Sequence, residues 1–133
     1  MSMTYIEMLD TQSRLHLHGG EILFELSREQ ILSAYNGIGS ASMPAVIRWT
    51  LTALNPAFVL PAVIHDCAWT YYHVDFYQSN ADFEFNCVVC VDDAYRWYNP
   101  ARYVYRVKAA EYRRLLDKFG KSAYLEAQKM ALE

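Results

Sequence analysis

The chain has 133 residues, 53% of them hydrophobic and 20% charged, with a formal net charge of −3 at pH 7. That length suits a single domain over residues 1–133 with its own core, and the composition excludes a disordered chain. The late basic residues, Arg96, Arg102, Arg106, Lys108, Arg113 and Arg114, alternate with Tyr and Glu, which describes a solvated helix face and predicts no nucleic-acid partner.

The first twenty residues lack a basic start followed by an apolar segment, so no signal peptide is expected. In the run RLHLHGGEILFEL, residues 14–26, apolar and polar residues alternate on both sides of Gly19-Gly20. This pattern predicts a short N-terminal β-hairpin with the glycines in its turn. His16 and His18 would share one exposed face of it.

Helical signals take over from there. Ser27 with Gln30 forms a capping-box pattern that opens a short helix, and Asn36-Gly37 ends it. The loop NGIGSAS has too few glycines for a phosphate cradle, and no GK[ST] follows. Ser42 caps and Pro44 opens a helix over about 43–54, which stops at Asn55-Pro56. Pro61 introduces a helix from Ala62 to about Tyr72. Ser79 or Asn80 then caps a longer helix to about Tyr98. Phe83, Cys87, Cys90, Val91, Ala94 and Trp97 form its apolar stripe. After Asn99-Pro100 a helix over about 102–119 ends at Gly120, and a last short helix follows. The prolines and Arg48 in the most apolar stretch, Met43 to Ile64, make it a poor membrane span. The expected fold is mainly α, a β-hairpin followed by a small helical bundle.

His65 and Asp66 stand together in the apolar run PAVIHDCAWTYYH, residues 61–73. Neighbours on a helix point about 100° apart, so each needs its own partner. Trp69, one turn on, should wall the imidazole. The short connection predicts an antiparallel helical hairpin, and a turn near 73–74 sets His65 level with about Asp82. In that arrangement Asp82 orients His65, whose other nitrogen acts as a general base on water. Asp66, facing another side, can ligate Ca²⁺, which would polarise an ester carbonyl.

The same register separates Cys67 from Cys87 by about 10 Å along the axis, too far for a disulfide. Cys87 and Cys90 could give a metal two ligands, but no second pair accompanies them. Three buried thiols are expected.

Ala41-Ser42-Met43-Pro44, then Ala62-Val63-Ile64-His65-Asp66, then Ala81-Asp82 with Phe85 resemble a family of small, uncharacterised phage and prophage proteins. That family carries A-S-x-P, H-D-x-x-Y and A-D-x-x-F segments. The likeness spans about residues 14–98. Its His-Asp helix and aspartate-bearing partner are also similar to the core of secreted phospholipase A2. That resemblance implies His65 as base, Asp82 as its orienter and Asp66 as the Ca²⁺ ligand. Trp69 stands where the pattern has Tyr, and Gly39 where it has an acidic residue. The Gly- and Cys-rich Ca²⁺ loop is missing, leaving the carbonyls of Asn36 to Ser40 to replace it.

Two functional readings follow. One is a phage-derived, phospholipase-A2-like ester hydrolase, with Ca²⁺ as cofactor and membrane lipid as partner. The other is a non-enzymatic virion, tail or host-interaction protein in which the His-Asp network is structural. Eleven Tyr and three Trp would then give an aromatic surface for a phage or host protein. Both readings place the protein in the host cytoplasm or in a virion. An HD-type phosphohydrolase is a weaker third idea, because His16, His18 and His73 are poorly placed to complete its metal site.

Overall fold

Six helices and two short 3-10 turns make up the residues that the structure, a computed structural model, describes: 3–35 and 55–132. The expected helix over 43–54, the Ala41–Pro44 motif, the Asn36-Gly37 stop and the Asn36–Ser40 carbonyls lie outside them.

The first helix, α1 (Tyr5–Leu15), occupies a stretch with no helix in the sequence reading. Thr4 caps it, its side chain accepting from the Glu7 amide at 3.1 Å. Met8 and Gln12, four apart, are buried on one face. The expected β-hairpin over 14–26 does not form. Leu15 ends α1, His16 takes a left-handed conformation (φ 51°) as its C-cap, and Gly20–Phe24 is a 3-10 turn. Gly19 does supply a positive φ of 75°, but it enters a 3-10 turn rather than joining two strands. A lone two-stranded hairpin is marginal in water. Here the apolar side chains go into a helical core instead, with Leu17 and Leu23 fully buried.

The capping box at Ser27 and Gln30 is made in both directions. The Ser27 amide donates to Gln30 Oε1 at 2.8 Å, and the Gln30 amide donates to Ser27 Oγ at 3.1 Å. It opens α2 (Arg28–Tyr35). After a 3-10 turn at Pro56–Phe58 come α3 (Val59–Tyr71), α4 (Phe76–Ala94), α5 (Pro100–Phe119) and α6 (Lys121–Leu132). Asn99 caps α5 by accepting from the Ala101 amide at 3.0 Å, with Pro100 as its first residue.

The central element is α3. One side of it packs Leu60, Val63, Ile64 and Cys67 with Met8, Leu17, Leu23 and Ile31. The other side contributes Trp69 to a second core with Phe76, Phe83, Tyr112 and Leu116 from α4 and α5. A helix apolar on nearly every side belongs in the middle of a bundle. Its C-terminal carbonyls are capped from α6, where Gln128 Nε2 donates to Trp69 O at 2.9 Å and to Tyr72 O at 3.0 Å.

The α3–α4 pair is the expected antiparallel hairpin. Contacts of residue 55 with 95, 65 with 80 and 69 with 79 show the register. The second helix starts earlier than expected, because Asp75 is its cap and accepts from the Gln78 amide at 2.9 Å. It also stops earlier, at Ala94. Of the expected stripe, Phe83, Cys87, Cys90 and Val91 are buried, while Trp97 lies beyond the helix and is 72% exposed.

Candidate functional site

The middle of α3 carries His65, 6% exposed between the two halves of the core. Its ring centre lies 4.3 Å from that of Trp69 and 5.4 Å from that of Phe83. The expected wall from Trp69 is therefore present, and the indole is itself fixed. Trp69 Nε1 donates to Ser79 Oγ at 2.8 Å, and Ser79 Oγ donates to Phe76 O at 2.8 Å.

The partner of His65 is Asn80. His65 Nε2 lies 2.8 Å from Asn80 Oδ1, and Asn80 Nδ2 donates to Asp117 Oδ1 at 2.8 Å. The Asp117 carboxylate can only accept when ionised, so it fixes which way the amide points. The amide oxygen then faces His65, and Nε2 must be the nitrogen that bears hydrogen. In the neutral ring the lone pair is left on Nδ1. Arg113 continues the chain of charges, with Nε 3.7 Å from Asp117 Oδ2 and Nη1 donating to Glu84 Oε1 at 3.3 Å.

The structure thus gives Asn80 the orienting position assigned to Asp82. Two residues along a helix is about 200° of rotation, so positions 80 and 82 face nearly opposite ways. The inner face of α4 includes Phe76, Ser79, Asn80 and Phe83, all buried. Asp82 is on its flank, accepting from Gln78 Nε2 at 3.0 Å and lying 3.6 Å from His18 Nδ1.

Asp66 is near His65 after all. Its Oδ1 lies 3.8 Å from His65 Nδ1, an electrostatic contact too long for a hydrogen bond. Although 27% of its side chain still meets solvent, desolvation by the packed atoms around it pushes its carboxyl pKa up, with His65 opposing the rise. Such a carboxyl does not by itself suit Ca²⁺, which takes six to eight oxygen ligands. Among the described residues no three His, Cys, Asp or Glu side chains come together to hold a metal ion.

Beside this relay lies a cavity of about 350 Å³. Its walls include Ile22, Pro61, Ile64, Ala68, Val74 and Phe83, and both His65 and Asp82 border it. The segment after α1 closes one side and is clamped to α4 by Asn86. Asn86 Oδ1 accepts from the His18 amide at 2.7 Å, and Nδ2 donates to His18 O at 2.9 Å. The His18 ring lies flat on Phe85, with centres 3.8 Å apart and planes 11° from parallel.

No family model, curated protein or solved structure matches the chain.

Asp117 is new to the site, whereas Ser79 and Asn80 were expected as helix caps and His18 on an exposed strand face. Only the early start of α4 turns Ser79 and Asn80 inward. Asn86 lies six residues after Asn80 on the same buried stripe, which was the available signal.

The three thiols, Cys67, Cys87 and Cys90, are free and buried. Burial raises all three pKa values, to about 12 for Cys67 and Cys90 and well above the ordinary range for Cys87. They are poor nucleophiles and poor metal ligands in this state. No described helix is long and apolar enough to cross a membrane.

Proposed function

We propose that the protein binds a small molecule with an apolar body in the cavity between α3, α4 and the segment around His18. The observation that carries this reading is the cavity itself: about 350 Å³, at the small end of ligand sites, with mostly apolar walls and a few convergent polar groups. Two of its polar neighbours are already committed to structure. Asn86 clamps the His18 backbone, and Ser79 joins Trp69 to Phe76. Asp82, His18 and Gln78 at the flank remain to orient a ligand. His65, which borders the cavity, is held from behind by buried Asn80 and half-buried Asp117 and gives the cavity a fixed wall. Calorimetry with 3-phenylpropanol tests this. Saturable binding with a dissociation constant on the order of a millimolar is expected for a ligand of this size. Ala68→Trp, which fills the cavity, should abolish it. Absence of binding to the wild type would refute the reading.

A second reading, ester hydrolysis by water, is favoured by one observation. The relay leaves the neutral His65 ring with its lone pair on Nδ1, the form a general base needs. Here His65 is the base and Asn80, backed by Asp117, is its positioning residue. Asp82 has no part in orienting it. Nitrophenyl esters provide the assay. This reading expects His65→Gln to cost about 10²-fold or more in rate and Asp82→Asn to leave it nearly unchanged. An equal loss in both variants, or no hydrolysis by the wild type, counts against it.

A further inference from the structure

We infer that the cavity selects a ligand with a cationic head, an organic ammonium on an apolar body, and rejects the matching carboxylate. This rests on the small-molecule reading given above and adds the charge of the ligand.

Among the described residues that line the cavity, Asp75 and Asp82 carry negative charge and no lysine or arginine is present. The two carboxylates are not equivalent. Asp75 Oδ2 accepts from the Gln78 amide at the start of α4. A helix N-terminus is where an incoming anion would be favoured, and this one already holds its own carboxylate. Among the described lining residues an anionic ligand therefore meets no lysine or arginine, only the imidazoles of His18, His65 and His73.

Asp82 lies farther along α4, with 32% of its side chain exposed. Gln78 Nε2 donates to its Oδ1 at 3.0 Å and His18 Nδ1 is 3.6 Å away, so the carboxylate is held in place at the edge of the apolar space. His18 is in turn fixed by its stack on Phe85 and by the Asn86 clamp on its backbone. A cation that reaches Asp82 finds a positioned acceptor, and its apolar body can lie along Ile64, Ala68 and Phe83. A charge-assisted hydrogen bond at such a partly exposed carboxylate is modest but directional.

The test compares three matched probes by calorimetry at neutral pH: 3-phenylpropylammonium, 3-phenylpropanol and 3-phenylpropionate. The expected order has the ammonium binding about three- to tenfold more tightly than the alcohol, and the carboxylate more weakly than either. Asp82→Asn, close in shape to the native residue, should bring the ammonium to within about twofold of the alcohol. The wild-type comparison needs no variant. Equal or tighter binding of 3-phenylpropionate overturns the inference, as does an ammonium preference that survives Asp82→Asn. In either case alcohol binding that Ala68→Trp removes would leave the cavity reading standing. If no probe binds, both fall together.

Discussion

His65 Nε2 and Asn80 Oδ1 lie 2.8 Å apart inside the α3–α4 hairpin, and Asp117 on α5 holds the other end of the same amide at 2.8 Å. Three helices are tied through one side chain. Asn80→Leu would leave a buried ring N–H and a carboxylate oxygen without this partner. A loss of about 2–4 kcal/mol is expected, read by urea unfolding. Asn80→Asp would set a second carboxylate beside Asp117. That variant should be destabilised at neutral pH and recover part of its loss near about pH 4, where carboxylates begin to take up protons.

Asp66 makes a pH-dependent contribution of definite sign. Desolvation raises its pKa in the folded state, so the fold binds that proton more tightly than the unfolded chain does. The stabilisation is fully present below the ordinary carboxylate value of 3.8 and is lost as pH rises through the raised folded value. Asp66→Asn removes this dependence. Unfolding followed from about pH 3.5 to 7 should show the variant gaining on the wild type as pH rises. A constant difference across that range would contradict the burial assigned to Asp66.

Asp92 acts in the opposite direction. Arg102 Nε donates to its Oδ1 at 2.8 Å, and Arg106 donates through Nε at 2.9 Å and Nη2 at 2.6 Å. The bond from Arg102 is the largest cause of a carboxyl pKa lowered to about 2, and Arg106 adds to it. This contribution is present above the unfolded carboxylate value and disappears as pH falls toward 2. Asp92→Asn should therefore lower the melting temperature at pH 7 and matter less with each step toward pH 2. One molar salt should shrink the effect, since these side chains are partly exposed.

Tyr112 is 2% exposed, and its hydroxyl has no hydrogen-bond partner among the described residues. Desolvation pushes its pKa up to about 12. Its ring still packs edge-on against Phe58 at 5.5 Å. Tyr112→Phe keeps that packing and removes the orphaned group, so it should be neutral or stabilising by about 1 kcal/mol. A clear fall in thermal stability would mean that the hydroxyl is satisfied.

Gly120 is required by close approach. A Cβ there would stand 2.7 Å from Leu116 O and 3.2 Å from Trp69 Cη2. The carbonyl belongs to the helix end and the indole is pinned by Ser79. Gly120→Ala should cost about 1–3 kcal/mol in denaturant unfolding, through a shift of α6 against α3.

The sequence carried the helical part of the fold because its punctuation is local. Ser27 with Gln30, Asn99 before Pro100 and the apolar runs of α3 and α4 each announce themselves within one or two turns. The N-terminal error came from the alternation around Gly19-Gly20. Thr4 with Glu7 is itself a capping signature, and Met8, Gln12 and Leu15 keep helical spacing after it. That periodicity runs straight into RLHLH, where His16 leaves the helix. Alternation over five residues cannot tell a strand from a helix end followed by a 3-10 turn.

The site was legible as a hairpin and as a buried histidine on it, but its partner was not. Choosing between Asn80 and Asp82 needs the rotation of α4, which its buried stripe from Phe76 to Val91 sets. Charge made Asp82 the attractive candidate, and packing chose the neutral amide. Asp117 could not have been inferred, since it lies 37 residues beyond Asn80 and its approach depends on how α5 docks. The cavity is likewise a product of packing, formed where the chain after α1 crosses the α3–α4 hairpin.

A crystal structure of the protein soaked with 3-phenylpropanol tests the central claim most directly. The phenyl ring is expected between Ile64, Ala68 and Phe83, with the hydroxyl toward Asp82 and the His65–Asn80–Asp117 relay unchanged. Ordered ligand elsewhere with this space closed by repacked side chains would contradict it.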